Sequence, residues 1–338
     1  MSEPLLDVED LRTTFHTPRG DVHAVDGVSL RLEAGRTLGV VGESGSGKSV
    51  LGRTVMGLVS SGPGVTVSGR VSLAGQDVHA LAPAERRRLW GPRVAMVFQD
   101  PMTSLNPVKR VGRHIDEVLR LHLRLGRREA RERTVGLLRQ VGIPEPERRA
   151  GQYPHELSGG MRQRVVIAAA LACGPDLLIA DEPTTALDVT VQRQILDLVA
   201  SLSRRSGMAV VLISHDLAAV GGRADRVAVM YGGRLVESAP TSRVFGAPRH
   251  PYTGALLASA PRLSAAPHSR LPTIEGRPPD PADPPPGCRF APRCPRAEAV
   301  CRGGAPPLLD LAPVGGHPHE VACRLPLEAE STEVGHGR

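Results

Sequence analysis

Aromatic residues are scarce: Phe, Trp and Tyr together make up 2% of the 338 residues. A core built from this chain must therefore rest on Val, Leu, Ile and Ala rather than on ring packing. Long apolar runs are missing as well. The longest, such as VVIAAALAC, reach about half of the roughly 18 residues that would suggest a membrane-spanning helix. The opening stretch MSEPLLDVEDLRTTFHTPRG has no apolar signal core, which predicts a chain that stays in the cytosol. Cysteine is limited to five residues, and disulfides between them are not expected in a reducing compartment. Basic charge, by contrast, is present: the net charge is +7, concentrated in AERRRLWGPR and RLGRREARER. Solvated helix faces account for such stretches. The charge permits contact with nucleic acid or an anionic membrane face but decides nothing by itself.

Up to about residue 260, short apolar runs alternate with helix-like segments. RTLGVV, VAMVFQ, DLLIAD and MAVVLIS each read as a buried strand bounded by polar or turn residues. Between them, VGRHIDEVLRLHLRLG places Val111, Ile115, Val118, Leu119 and Leu123 on one helical face. This alternation predicts an α/β fold with a mostly parallel sheet. The segment PRLSAAPHSRLPTIEGRPPDPADPPPG then reads as an extended, proline-rich linker. A boundary is expected there, dividing the chain into units 1–260 and 261–338. No internal repeat is evident, so one copy of the α/β unit is expected.

The segment GESGSGKS, from Gly42 to Ser49, fits the pattern G-x-x-x-x-G-K-[ST], with an apolar strand before it and a helical pattern after it. Its backbone, through Gly42, Glu43, Ser44, Gly45, Ser46 and Gly47, can curl N–H groups around phosphate oxygens, aided by the helix dipole. Lys48 is expected to neutralise the β and γ phosphates and Ser49 to place its hydroxyl on Mg²⁺. DLLIADEP brings Asp181 and Glu182 to the carboxyl end of a buried strand, where ligands bind in open α/β sheets. Asp181 would hold Mg²⁺ and Glu182 would polarise the water attacking the γ-phosphate. Gln99, after VAMVF, and His215, after VVLIS, are expected to sense the γ-phosphate, with Gln99 touching Mg²⁺ as well.

LSGGMRQR follows, with a capping serine and two glycines that cost helix stability at the mouth of a helix. A phosphate loop, LSGGMRQ and a DE-ended strand in that order resemble the ATP-binding cassette ATPases of ABC transporters, over roughly residues 5–260. The resemblance implies a P-loop NTPase fold, with a RecA-like core and a helical subdomain at about 100–156. It also implies a head-to-tail dimer with ATP between the cassettes. Ser158, Gly159, Gly160 and Gln163 of one subunit would then face nucleotide held by the other. The bare glycines would let the backbone approach the phosphate. TTALDV, with Asp188, resembles the family's D-loop, and Phe15 is the candidate for stacking on adenine. FQDPMTSLNP, HPYTGALLASAP and the cysteine-bearing tail look like the oligopeptide/dipeptide (and nickel) importer ATPases, of the D type by the MTSLNP wording. That implies a second, F-type ATPase, two permeases and an external solute-binding protein, with this chain at the cytoplasmic face of the membrane. Peptides, nickel chelates or other solutes all remain open as cargo. A soluble cassette ATPase acting on nucleic acid is the alternative, and so is a module that holds ATP without hydrolysing it. The single cassette without heptad runs disfavours the former. The presence of Glu182, Gln99 and His215 disfavours the latter.

Cys288, Cys294, Cys301 and Cys323 are spaced C-x₅-C-x₆-C-x₂₁-C. Structural zinc usually shows tighter pairs, whereas a [4Fe–4S] cluster needs four thiolates and tolerates varied spacing. Spacing leaves zinc and iron–sulfur even. The resembled importer ATPases carry such a cluster in some members, which favours iron–sulfur in this tail.

Overall fold

The computed structural model describes residues 3–99, 104–185, 187–260, 272–311 and 318–328. Its strands are β1 (Leu6–Thr17), β2 (Gly20–Leu32), β3 (Thr37–Val41), β4 (Val65–Leu73), β5 (Gln76–Asp77), β6 (Val94–Val97), β7 (Leu177–Asp181), β8 (Ala209–Ser214), β9 (Arg226–Tyr231), β10 (Arg234–Pro240), β11 (Leu309–Asp310) and β12 (Glu320–Val321). The main sheet has the order β11-β12-β10-β9-β3-β8-β7-β6. From β9 to β6 its strands are parallel. The other end, β10, β12 and β11, is antiparallel. The four strands expected from apolar runs are β3, β6, β7 and β8, and every residue of β6, β7 and β8 is buried. Leu177 and Ile179 pack with Leu51 and Val55 on one face of the sheet. Leu178 and Ala180 pack with Val165, Ile167 and Val199 on the other. Because both faces are covered, these strands carry no polar alternation.

A second sheet, β2-β1-β4-β5, is wholly antiparallel and was not expected from the sequence. Its pattern is broken by a bulge. Asp10 takes a positive φ of 43°, and the register of β1 shifts on either side of it. Opposite lies Gly69, where a Cβ would stand 2.4 Å from the Asp10 carbonyl oxygen. An extra residue at such a point moves the following side chains to the other face and erases a simple period of two. This sheet covers the phosphate-loop helix Lys48–Val55, and Thr13 of β1 hydrogen-bonds Thr54 at 3.1 Å.

The helical region follows the expected pattern. In the helix Val111–Leu123, Val111, Ile115 and Leu119 are fully buried, with Val118 and Leu123 packed against the same core. Helices Arg127–Gln140 and Pro146–Arg149 complete it. Asp100 to Thr103 of FQDPMTSLNP, Ala186 of TTALDV and the first part of the proline-rich linker, 261–271, lie outside the described residues. No helix among the described residues is long and apolar enough to cross a membrane.

The cysteine-bearing extension is tied to this core. Strand β12 pairs with β10 through Glu237↔Val321 and Ser238↔Glu320. Fully buried Glu237 accepts hydrogen bonds from the backbone N–H groups of Arg249 (2.8 Å) and His250 (2.9 Å) and pairs with His319 Nε2 at 2.7 Å. Arg289 meets Asp26 of β2, which also pairs with Arg12 and Arg234. Burial opposes ionisation of Asp26, but Arg234, then Arg289 and Arg12, outweigh it and hold the carboxyl pKa below its ordinary value.

Candidate functional site

Between β3 and the helix Lys48–Val55 the chain passes through a gap that only glycine fits. A Cβ on Gly42 (φ +155°) would lie 2.1 Å from the Met230 carbonyl oxygen, and one on Gly47 (φ +98°) 2.1 Å from that of Ala24. The loop is thus wedged between the backbones of β9 and β2. Inside it, Lys48 Nζ donates to the carbonyl oxygens of Gly42 (2.7 Å) and Glu43 (2.9 Å) and to Ser46 Oγ (3.3 Å). Burial lowers the Lys48 pKa, while Glu182, Asp181 and Glu43 oppose that shift and favour the charged form. The ammonium is therefore held where phosphate oxygens entering the loop would meet it.

Ser49 Oγ donates to Asp181 Oδ1 at 2.8 Å. Asp181 is fully buried at the end of β7, and its Oδ2 has no hydrogen-bond partner. Burial raises its pKa. An orphaned buried carboxylate oxygen beside a hydroxyl fits Mg²⁺, a hard cation that takes oxygen ligands.

Glu182, the next residue, has φ +45°, an uncommon backbone state outside glycine. Its N–H donates to the Ile213 carbonyl at 3.0 Å, which ties the turn to β8. Three side chains meet its Oε2: Gln99 Nε2 at 3.0 Å, His215 Nδ1 at 3.1 Å and Thr185 Oγ1 at 3.2 Å. Residues from the ends of β6, β7 and β8 thus converge on one carboxylate oxygen. Glu182, Thr185 and His215 share a cleft. The strand-end positions of Gln99 and His215 predict γ-phosphate sensors, and the structure places both side chains against Glu182. Thr185 was not expected there, because a threonine in a turn carries no distinctive pattern.

The glycine-tipped helix runs from Gly159 to Ala170 with Ser158 as its cap, its Oγ accepting from Met161 N–H at 3.3 Å. The structure adds a packing reason for the glycines. A Cβ on Gly160 would stand 2.7 Å from Val191 Cγ1, and one on Gly159 would stand 3.3 Å from Leu187 Cδ2. Gln163 is fully buried and neither amide atom has a partner. Asp188 caps the helix Val189–Ser206, accepting from Val191 N–H at 2.9 Å. Phe15 lies half-buried in β1, across from Val22 and Val65. Among the described residues, no hydrogen bond joins Ser158, Gly159 or Gly160 to the phosphate loop.

All five cysteines are free thiols. Cys288, Cys294, Cys301 and Cys323 line one cavity of about 20 Å³, together with Arg296 and Arg324. That is room for about one water molecule. Burial raises the pKa of Cys288, Cys294 and Cys323, the last to about 11. Among the described residues, no three His, Cys, Asp or Glu are grouped so as to hold a metal ion.

Residues 25–185 match the ABC transporter family, and residues 236–301 match the C-terminal region of oligopeptide/dipeptide transporters. The chain is 49% identical over 312 residues to the oligopeptide transport ATP-binding protein OppD of Escherichia coli, covering 92% of this chain and 91% of that protein. It is 48% identical over 299 residues to the dipeptide transport ATP-binding protein DppD of Bacillus subtilis, covering 88% and 89%. Among solved structures it is similar to a dimeric post-hydrolysis state of the ATP-binding cassette MJ0796 bound to ADP and Pi. The TM-score is 0.63 at 26% identity, over 70% of this chain and 98% of that one. Identity at this level across most of both sequences, on a chain whose own residues build a phosphate loop and a strand-end carboxylate pair, is a family relationship: the chain belongs to the ATP-hydrolysing cassettes of the oligopeptide/dipeptide ABC transporter family.

Proposed function

We propose that this chain is the energy-coupling ATPase of an importer for di- or oligopeptides and works as half of a head-to-tail cassette pair. The observation that carries the reading is the convergence of Gln99, His215 and Thr185 on Glu182, next to the Ser49–Asp181 pair. In this reading the loop Gly42–Ser49, through its backbone N–H groups other than that of Glu43, which Tyr252 takes, and through the Lys48 ammonium, binds the triphosphate. Ser49, Asp181 and Gln99 hold Mg²⁺, which offsets charge on the phosphates. With Oε2 fixed by three neighbours, Glu182 keeps Oε1 to take a proton from the attacking water. His215 and Gln99 orient that carboxylate. Ser158, Gly159, Gly160 and Gln163 serve the nucleotide of the opposite cassette, Asp188 links the two sites, and Phe15 stacks on adenine. The chain divides near residue 260 into the cassette and its extension. It acts at the cytoplasmic face of the membrane with an F-type ATPase, two permeases and a solute-binding protein, and with no nucleic acid.

Reconstitution tests this reading. In proteoliposomes holding the permeases and both ATPases, peptide-loaded binding protein should raise ATP hydrolysis several-fold and drive peptide uptake. Added DNA or RNA should leave hydrolysis unchanged. Hydrolysis stimulated by nucleic acid and indifferent to loaded binding protein would sink the importer reading.

The four cysteines, we further infer, ligate a [4Fe–4S] cluster. Support comes from the donor set: four thiols line one cavity, and Arg296 and Arg324 beside them would offset the negative charge of a thiolate-bound cluster. Among the described residues the thiols are not grouped as metal ligands, and the cavity holds about one water molecule, so the extension must rearrange to admit the cluster. Anaerobically purified protein is expected to show a broad absorbance near about 400 nm, the signature of thiolate-bound iron. Colourless protein carrying stoichiometric zinc would rule the cluster out.

A further inference from the structure

The segment CRFAPRC, Cys288 to Cys294, places its two cysteines on the thiol-lined cavity and sends its two arginines towards the nucleotide core. Arg289 pairs with Asp26 and donates to the Gly232 carbonyl. Arg293, with its side chain 4% exposed, reaches Glu43 in the phosphate loop. Its Nη1 donates to Glu43 Oε2 at 2.6 Å and its Nη2 to Oε1 at 3.1 Å. Its other donors are also engaged, with the Tyr231 hydroxyl (3.2 Å), the Ile274 carbonyl (3.1 Å) and the Glu275 carbonyl (2.8 Å). A guanidinium held by five bonds has a single orientation.

The backbone of Glu43 is held from the same side. Its N–H donates to the Tyr252 hydroxyl at 2.8 Å. Tyr252 is fully buried, its ring 4.5 Å from that of Tyr231 and 5.3 Å from that of Phe290. Meanwhile the Glu43 carbonyl accepts from Lys48 Nζ at 2.9 Å, so this residue belongs to the shell around the lysine. A carboxylate so placed repels phosphate oxygens unless a cation neutralises it.

We propose that Arg293 is a positioning residue for ATP hydrolysis: it anchors and neutralises Glu43, so that the phosphate loop meets a triphosphate without an unpaired carboxylate at its mouth. The proposal rests on the reading of Gly42–Ser49 as the ATP site. It makes the cysteine-bearing extension part of the nucleotide site.

ATP titrations of the full-length chain test it. Arg293→Met should raise the KM for ATP about tenfold with kcat within about twofold, and this penalty should shrink as salt rises from about 50 to about 500 mM. Arg293→Lys, which keeps the charge but not the fork, should fall between that variant and the native chain. Adding Glu43→Gln to Arg293→Met removes the unpaired carboxylate and should return the KM to within about threefold of native. A purely structural role predicts no such rescue and no salt dependence. An unchanged KM in Arg293→Met, or a double variant as poor as the single one, overturns the proposal. Should Arg293→Met not fold, Arg293→Lys decides alone, and a native KM there overturns it too. Lys48→Ala separates the two levels: if it leaves the KM unchanged, the reading of the ATP site itself has failed.

Discussion

Glu182→Gln is expected to lower the rate of ATP hydrolysis by about 10²–10⁴-fold, the range that a positioned general base contributes. ATP·Mg²⁺ should still bind. The change is nearly isosteric and lies at the strand end, while Lys48, Ser49 and Asp181 keep their own contacts. An amide cannot take the proton from water. Mixed with its F-type partner and ATP, the variant should therefore persist as a stable dimer on size exclusion, where the native pair returns to monomers. The assignment of Glu182 fails if the variant hydrolyses ATP at the native rate. If hydrolysis stops but no ATP binds, the carboxylate supports the loop and not the water.

Gly42→Ala should be nearly as damaging, by a different route. Its Cβ would stand 2.1 Å from the Met230 carbonyl oxygen and 2.9 Å from Ser46 Oγ. The first obstacle is backbone of a central strand, so no rotamer change relieves it. Overpacking of this kind costs about 1–3 kcal/mol, and a strained φ adds to it. For a chain of this size, with the strain counted at about 1–3 kcal/mol, the melting temperature should fall by roughly 3–8 °C. More tellingly, ATP·Mg²⁺ at about 100 times its Kd should stabilise the native chain by about 2.7 kcal/mol and the variant hardly at all. Gly45→Ala is the control: it too has a positive φ, but nothing lies within 4 Å of its added Cβ. Thermal melts with and without nucleotide separate the outcomes. Equal nucleotide stabilisation in native chain and Gly42→Ala would show that the loop tolerates displacement.

What could be read from the sequence was what is local. The phosphate loop and the Asp181–Glu182 pair are contiguous motifs, and β6, β7 and β8 are contiguous apolar runs because both their faces are covered. The helix at Val111 kept its period because one side packs on the core and the other is solvated. The sheet β2-β1-β4-β5 was lost because the bulge at Asp10 disrupts its alternation. The glycines Gly159 and Gly160 were legible as unusual, but the contact with Val191 lies in another helix. The partners of Glu43 were invisible for the same reason, since Arg293 is 250 residues away and looks like one more arginine in a basic tail. Sequence reading finds chemistry carried by neighbours along the chain. It misses chemistry completed by a distant segment with no pattern of its own.

Pairing of Glu320 and Val321 with Ser238 and Glu237 has a consequence for handling the protein. Among the described residues, the sheet continues beyond β10 through β12 and the two residues of β11. Without them, β10 would offer unpaired N–H and C=O groups along its outer flank, which invite strands from other molecules. The extension therefore covers part of that flank, and a chain cut before β11 is expected to self-associate more than the full chain, which size-exclusion chromatography would show.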